Sequence, residues 1–170
     1  MWGLEMSRDD RAFSHIAHEV HMCAYSAFRM LSSDDENDRV AYLECELLHA
    51  RALEEFLVVT RRRPRDDDML RTHFAPEWTP SPDDAVSRLG ERRETINKYL
   101  AHLTWARVDE PDAPAWSFIE IADDIVAVAA AWVGHVTRSE GRLPDDPDIK
   151  ALILANAVSD AQRWLGMAPR

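Results

Sequence analysis

The sequence predicts an all-α fold: an antiparallel four-helix bundle with an additional C-terminal helix, in a single domain spanning residues 1–170. Three observations lead there. Apolar residues recur at i, i+3 and i+4 through most of the chain, the period of a helix with one buried face. There are only 5 glycines, with Ala, Leu, Glu, Asp and Arg abundant and few β-type alternations. Helix-breaking residues come in clusters, each followed by residues that start a helix.

The first helix is expected from about Arg8 to Leu31, burying Phe13, Ile16, Ala17, Val20, Ala24, Ala27 and Leu31. Ser32-Ser33-Asp34-Asp35-Glu36 ends it and caps the next, because Ser and Asp oxygens accept from the free amides of a helix start. The second helix is expected from about Asp38 to Val59. Apolar residues cover most of its circumference: Leu43, Leu47, Ala50, Leu53 and Leu57 form one stripe, and Cys45, Leu48, Ala52 and Phe56 a second. A helix apolar on two sides is expected to be central, with neighbours on both. The short connection makes these helices an antiparallel hairpin, in which positions whose numbers sum to about 67 lie level.

Arg61-Arg62-Arg63-Pro64 stops the second helix, its cations complementing the C-terminal dipole. Phe74 and Trp78 then read as a lid packed on the bundle. Ser81 is the expected N-cap of the third helix, with Pro82 at its first position and Asp83 and Asp84 in its first turn. That helix carries Val86, Leu89, Ile96, Leu100 and Leu103, with Arg93 in the same row requiring a partner. The fourth, about Ala115–Arg138, buries Phe118, Ile121, Ala122, Ile125, Ala129, Trp132 and Val136, which leaves Glu120, Asp123 and Asp124 as solvated acids. The fifth starts at Asp146-Pro147, buries Ile149, Ile153, Ala157, Ala161 and Trp164, and stops at Gly166.

A net charge of −11 argues against broad binding to nucleic acid or anionic lipid, while leaving room for a small basic site. The longest apolar run, Ile125–Val133, is far shorter than the ~20 residues that span a bilayer. With no signal-like N-terminus and 2 cysteines, a reduced cytoplasmic protein without membrane contact is expected. Scattered glycines form no phosphate loop, and no nucleophile elbow is present.

Two stretches carry chemistry. By the level rule, His18 faces His49 and His21 faces Glu46 across the first hairpin. Glu46-x-x-His49 resembles one half of a di-iron ligand pattern, but it occurs once, so a full di-iron set is short of ligands. A mononuclear metal site of His21, Glu46 and His49 stands beside a simpler reading, a buried Glu–His hydrogen bond that includes Arg93. Cys23 and Cys45 are also level, and read as two buried thiols rather than a disulfide.

The second stretch is Ile96–Arg107. Lys98 and His102 are i, i+4, on a face distinct from Ile96, Leu100 and Leu103. An imidazole beside a cation suits RNA cleavage without a metal: the ring moves the proton of a ribose 2′-hydroxyl, and the cation holds the phosphate. The alternative for His102 is an interhelix histidine. Asn97 then bridges helices, for instance to Arg93, and Tyr99 and Trp105 pack rather than stack on bases.

Asn97-Lys-Tyr-Leu-Ala-His102, late in a helix of an all-helical domain, resembles the HEPN superfamily, small helical bundles whose motif is an Arg, often followed by Asn, then a short spacer and a His. Asn97 and His102 match, and Ile96 stands where that family has its Arg. The resemblance implies a metal-independent endoribonuclease of toxin–antitoxin or phage-defence type, with no cofactor. His102 would be the acid/base, Asn97 the positioning group, and Lys98 or Arg107 the phosphate-holding cation. The partners implied are an RNA substrate, a protein antitoxin, and a second copy in a homodimer, which the wide apolar coverage also favours. A noncatalytic helical interaction module and a metal-binding bundle at His21, Glu46 and His49 are the competing readings.

Overall fold

A computed structural model of the chain describes residues 8–59, 64–97, 117–138 and 147–168. Its helices are α1 (Arg8–Ser32), α2 (Glu36–Leu57), α3 (Asp83–Ile96), α4 (Phe118–Arg138) and α5 (Pro147–Met167), with a short 3-10 turn at Arg71–His73. Among the described residues there is no strand, so the chain is an all-α bundle with an additional C-terminal helix.

The α1–α2 hairpin closes as its capping residues dictate. The Asp35 carboxylate accepts from the backbone N–H groups of Asn37 at 2.8 Å and Asp38 at 3.2 Å, satisfying two free amides of α2. The start of α3 differs by one residue from expectation. Pro82, not Ser81, is the N-cap (φ −73°, ψ 150°), and no side chain caps the helix. Pro82 supplies the extended backbone that a cap position needs, while Asp83 and Asp84 still place negative charge in the first turn.

The central helix is α4 rather than α2. It packs against α1, α2, α3 and α5. Its buried residues include Ile121, Ile125, Val128, Ala129 and Trp132 on one stripe, and Asp124 and Val126 extend the buried arc on either side. In contrast, α2 packs on α1, α4 and α3 but has an open outer side. Its first stripe is buried through Leu47, Ala50, Leu53 and Leu57, as expected. The second divides: Phe56 enters the core and Cys45 is half-buried, but Leu48 is 59% exposed and Ala52 is also exposed.

The lid is formed as expected. Phe74 follows the 3-10 turn, and its ring centroid lies 5.0 Å from Phe13, 6.2 Å from Phe56 and 6.3 Å from Trp132. Trp78 is buried in the same core, as are Ala75 and Ala85. Burial on α5 is shifted by about one residue. Leu154, Val158, Ala161 and Leu165 are buried, whereas Ile153, Ala157 and Trp164 are only partly so. The helix runs through Gly166 to Met167 instead of stopping there. Trp164, partly buried against the core, also packs on other rings, 5.1 Å from Phe28 and 5.3 Å from Tyr25.

Candidate functional site

Of the RNase-type residues, Asn97 is described, whereas Lys98, His102 and Arg107 lie outside the described residues. Asn97 is the C-cap of α3, with its backbone N–H directed to the carbonyls of Arg93 and Glu94. Its side-chain carbonyl oxygen is buried and accepts no hydrogen bond from the described residues. It therefore makes no bridge through that oxygen to Arg93, whose guanidinium turns to α2 and lies 3.8 Å from both Glu54 and Glu55. Ile96, where the resemblance places an arginine, is 4% exposed in the core. An arginine there would bury its charge against apolar side chains, so this backbone position is committed to packing.

Glu54 is the core acid that Arg93 was expected to seek. Burial raises its carboxyl from the ordinary 4.5 to about 7, and the Arg93 charge offsets part of that rise. The expected hydrogen bond between acid and histidine also exists, but with a different acid. His49 Nδ1 lies 2.6 Å from Glu19 Oε2, while the His49 ring meets His18 edge-on at 5.8 Å. His21 stacks on Tyr25 and meets the edge of Trp164. Glu46 is fully buried, with both carboxyl oxygens unpartnered among the described residues, and desolvation pushes its pKa well above the usual range. His21, Glu46 and His49 thus have separate surroundings. Among the described residues, no three His, Cys, Asp or Glu side chains converge as a metal would require.

Cys23 and Cys45 are free. Burial, and then the nearby carboxylates of Glu46 and Glu19, push the Cys23 thiol upward, so little of it is thiolate at neutral pH.

Asp124 corrects the reading of the α4 acids. It is 4% exposed and faces α3, where Arg88 and Arg92 hold it. Arg92 also reaches Glu120 at 2.7 Å. The signal was legible: Arg88 and Arg92 are one turn apart on α3, as are Glu120 and Asp124 on α4. Such matched rows of opposite charge mark facing helices.

Among the described residues, two accessible surfaces bear on binding. A cleft of about 350 Å³ lies between α1, α2 and residues 68–70, with an apolar floor that includes Ile16, Leu53 and Phe56. Its rim carries His15, Glu19, Glu55 and Asp68, and those carboxylates repel a phosphodiester. The other surface is the outer side of α2. Ala41, Cys45, Leu48 and Ala52 follow one another at four- and three-residue steps, the spacing of a helix–helix seam. Val40, 47% exposed, lies about 100° round the helix from Ala41, outside that row. The described helices include none long and apolar enough to cross a membrane.

No protein-family model, curated protein or solved structure matches the chain.

Proposed function

We propose that the chain is a noncatalytic helical interaction module that docks a protein partner on the outer side of α2. The observation carrying this reading is Leu48, mid-helix and 59% exposed within the seam Ala41, Cys45, Leu48 and Ala52. An apolar row at seam spacing on a well-anchored helix loses unfavourable hydration when another helix covers it. The described acid–base groups support a structural role beside it. Glu19 and His49 bond to each other, Glu54 faces Arg93, and Asp124 is held by Arg88 and Arg92. The test is to use the whole chain and Leu48→Glu as baits, with native mass and helical circular dichroism measured on both. Binding of self or another protein that disappears in a well-folded Leu48→Glu variant is the expected result. Association unchanged by that variant would sink the reading.

A second reading is favoured by Asn97, whose carbonyl oxygen has no hydrogen-bond partner among the described residues at the end of α3, where the HEPN-like motif begins. In it the chain is a metal-independent endoribonuclease of toxin–antitoxin or phage-defence type, with His102 as acid/base, Lys98 or Arg107 on the phosphate, and an antitoxin as partner. Incubating wild type and His102→Ala with total RNA, with and without EDTA, tests it. Cleavage by wild type alone, unaffected by EDTA, is the outcome it requires. Absence of cleavage by well-folded wild type rejects it.

A further inference from the structure

We infer that the occupant of the outer α2 surface is a second copy of this chain, packed antiparallel so that Glu44 of each protomer meets the partner's Arg51. The inference rests on the docking-surface reading and goes further by naming the partner and its register. The seam residues lie on one side of α2, with Leu48 near its middle. Glu44 and Arg51 flank that seam on the same side, because seven residues return to nearly the same angle on a helix. Glu44 is exposed and Arg51 half-buried, and neither makes an ion pair among the described residues.

Their spacing makes the surface complementary to itself. In an antiparallel pair whose two-fold axis passes at Leu48, positions whose numbers sum to about 96 are level. Leu48 then meets the partner's Leu48. Glu44 lies within about 1.5 Å in height of the partner's Arg51. Symmetry repeats that opposite-charge contact at the other end of the seam. The small side chains of Ala41, Cys45 and Ala52 let the two backbones approach. In a parallel two-fold pair the flank carrying Glu44 and Arg51 would lie on opposite sides of the seam in the two protomers, so this opposite-charge contact forms only in the antiparallel arrangement. A contact confined to one helix is small, so the dimer is expected to be reversible.

Sedimentation equilibrium on the whole chain tests this, with circular dichroism to confirm that each variant folds. Wild type should be a reversible dimer, and Leu48→Glu should be monomeric. Glu44→Arg and Arg51→Glu should each weaken association by about tenfold, since each replaces both opposite-charge contacts by like-charge ones. The double exchange Glu44→Arg/Arg51→Glu should recover most of the wild-type affinity. Mixing the two single variants should give a heterodimer. A dimer indifferent to Leu48→Glu and to both charge reversals overturns the inference, because its interface is elsewhere. A monomeric wild type that still binds another protein through Leu48 also overturns it, while leaving the docking surface intact. Monomeric wild type with no Leu48-dependent binding removes both.

Discussion

Arg88 grips Asp124 with two guanidinium nitrogens, Nη2 lying 2.6 Å from Oδ1 and Nε 3.0 Å from Oδ2. Arg92 adds a contact of its own, Nη1 to Oδ2 at 3.1 Å. The side chain of Asp124 is only 6% exposed, whereas that of Arg88 is 44% exposed. The acid is thus desolvated and the arginines partly hydrated, which makes Asp124 the member whose removal is felt. Asp124→Ala is expected to destabilise the chain by about 2 kcal/mol, below the usual loss for a fully buried pair because the freed arginines still reach water. Glu120→Ala, which removes a 66% exposed side chain, should change stability by less than about 0.5 kcal/mol. Urea denaturation of both variants measures the contrast. Equal losses would refute the burial argument.

Phe74 gives the lid its anchor. Its ring is tilted against Phe13 and edge-on to Trp132, in contacts that join residues 64–80 to α1 and α4. The ring is only partly buried, so Phe74→Ala should lower stability by about 2 kcal/mol rather than the larger loss of a fully enclosed phenylalanine. Limited proteolysis should then show faster cleavage within residues 64–80 than elsewhere. A variant cut as slowly as wild type would mean that Trp78 and the 3-10 turn suffice to hold the lid.

The contrast between α2 and α4 shows what the sequence could reveal. The five helices, the first hairpin and its Asp35 cap follow from local periodicity and capping chemistry and are seen among the described residues, while Leu100 and Leu103 of the expected third helix lie outside them. The level rule placed His18 beside His49 correctly, and applied to position 49 it also points to Glu19, the acid actually bonded there. Which apolar face remains open could not be read, since it depends on where helices distant in sequence come to lie. Leu48 is as apolar as Leu47, yet one is 59% exposed and the other 1%. Asp124 failed for the same reason. It lies off the main stripe of α4, but α3 covers that side, so an acid read as solvated became a buried ion-pair partner.

Glu54 links stability to pH. Its carboxyl titrates near 7 in the folded chain, against an ordinary 4.5. Between those values the unfolded chain has lost the proton that the folded chain keeps, so rising pH favours unfolding through this group. Its contribution therefore declines from about pH 4.5 to 7 and is level above that. Glu54→Gln should flatten the decline in urea midpoints measured at intervals from pH 4 to 8. A variant whose midpoints track wild type across the window would show that Glu54 titrates normally.

Glu46 provides the stronger case, because neither of its carboxyl oxygens has a hydrogen-bond partner among the described residues and nothing of it is exposed. Glu46→Met keeps the length of the side chain and removes two buried polar atoms, so it should stabilise the chain by about 1–3 kcal/mol at neutral pH. The gain should depend on pH with a definite sign. At pH values below the ordinary carboxyl range both folded and unfolded wild type carry the proton, and only the unpartnered hydroxyl and carbonyl are at stake. As pH rises above about 4.5, the unfolded wild type ionises while burial keeps the folded carboxyl neutral, an added penalty that methionine does not bear. The advantage of Glu46→Met should thus widen with pH until the folded carboxyl itself ionises. Paired urea titrations at pH 4, 6 and 8 would measure it. A destabilised Glu46→Met at every pH would mean that Glu46 makes a favourable interaction which outweighs its desolvation.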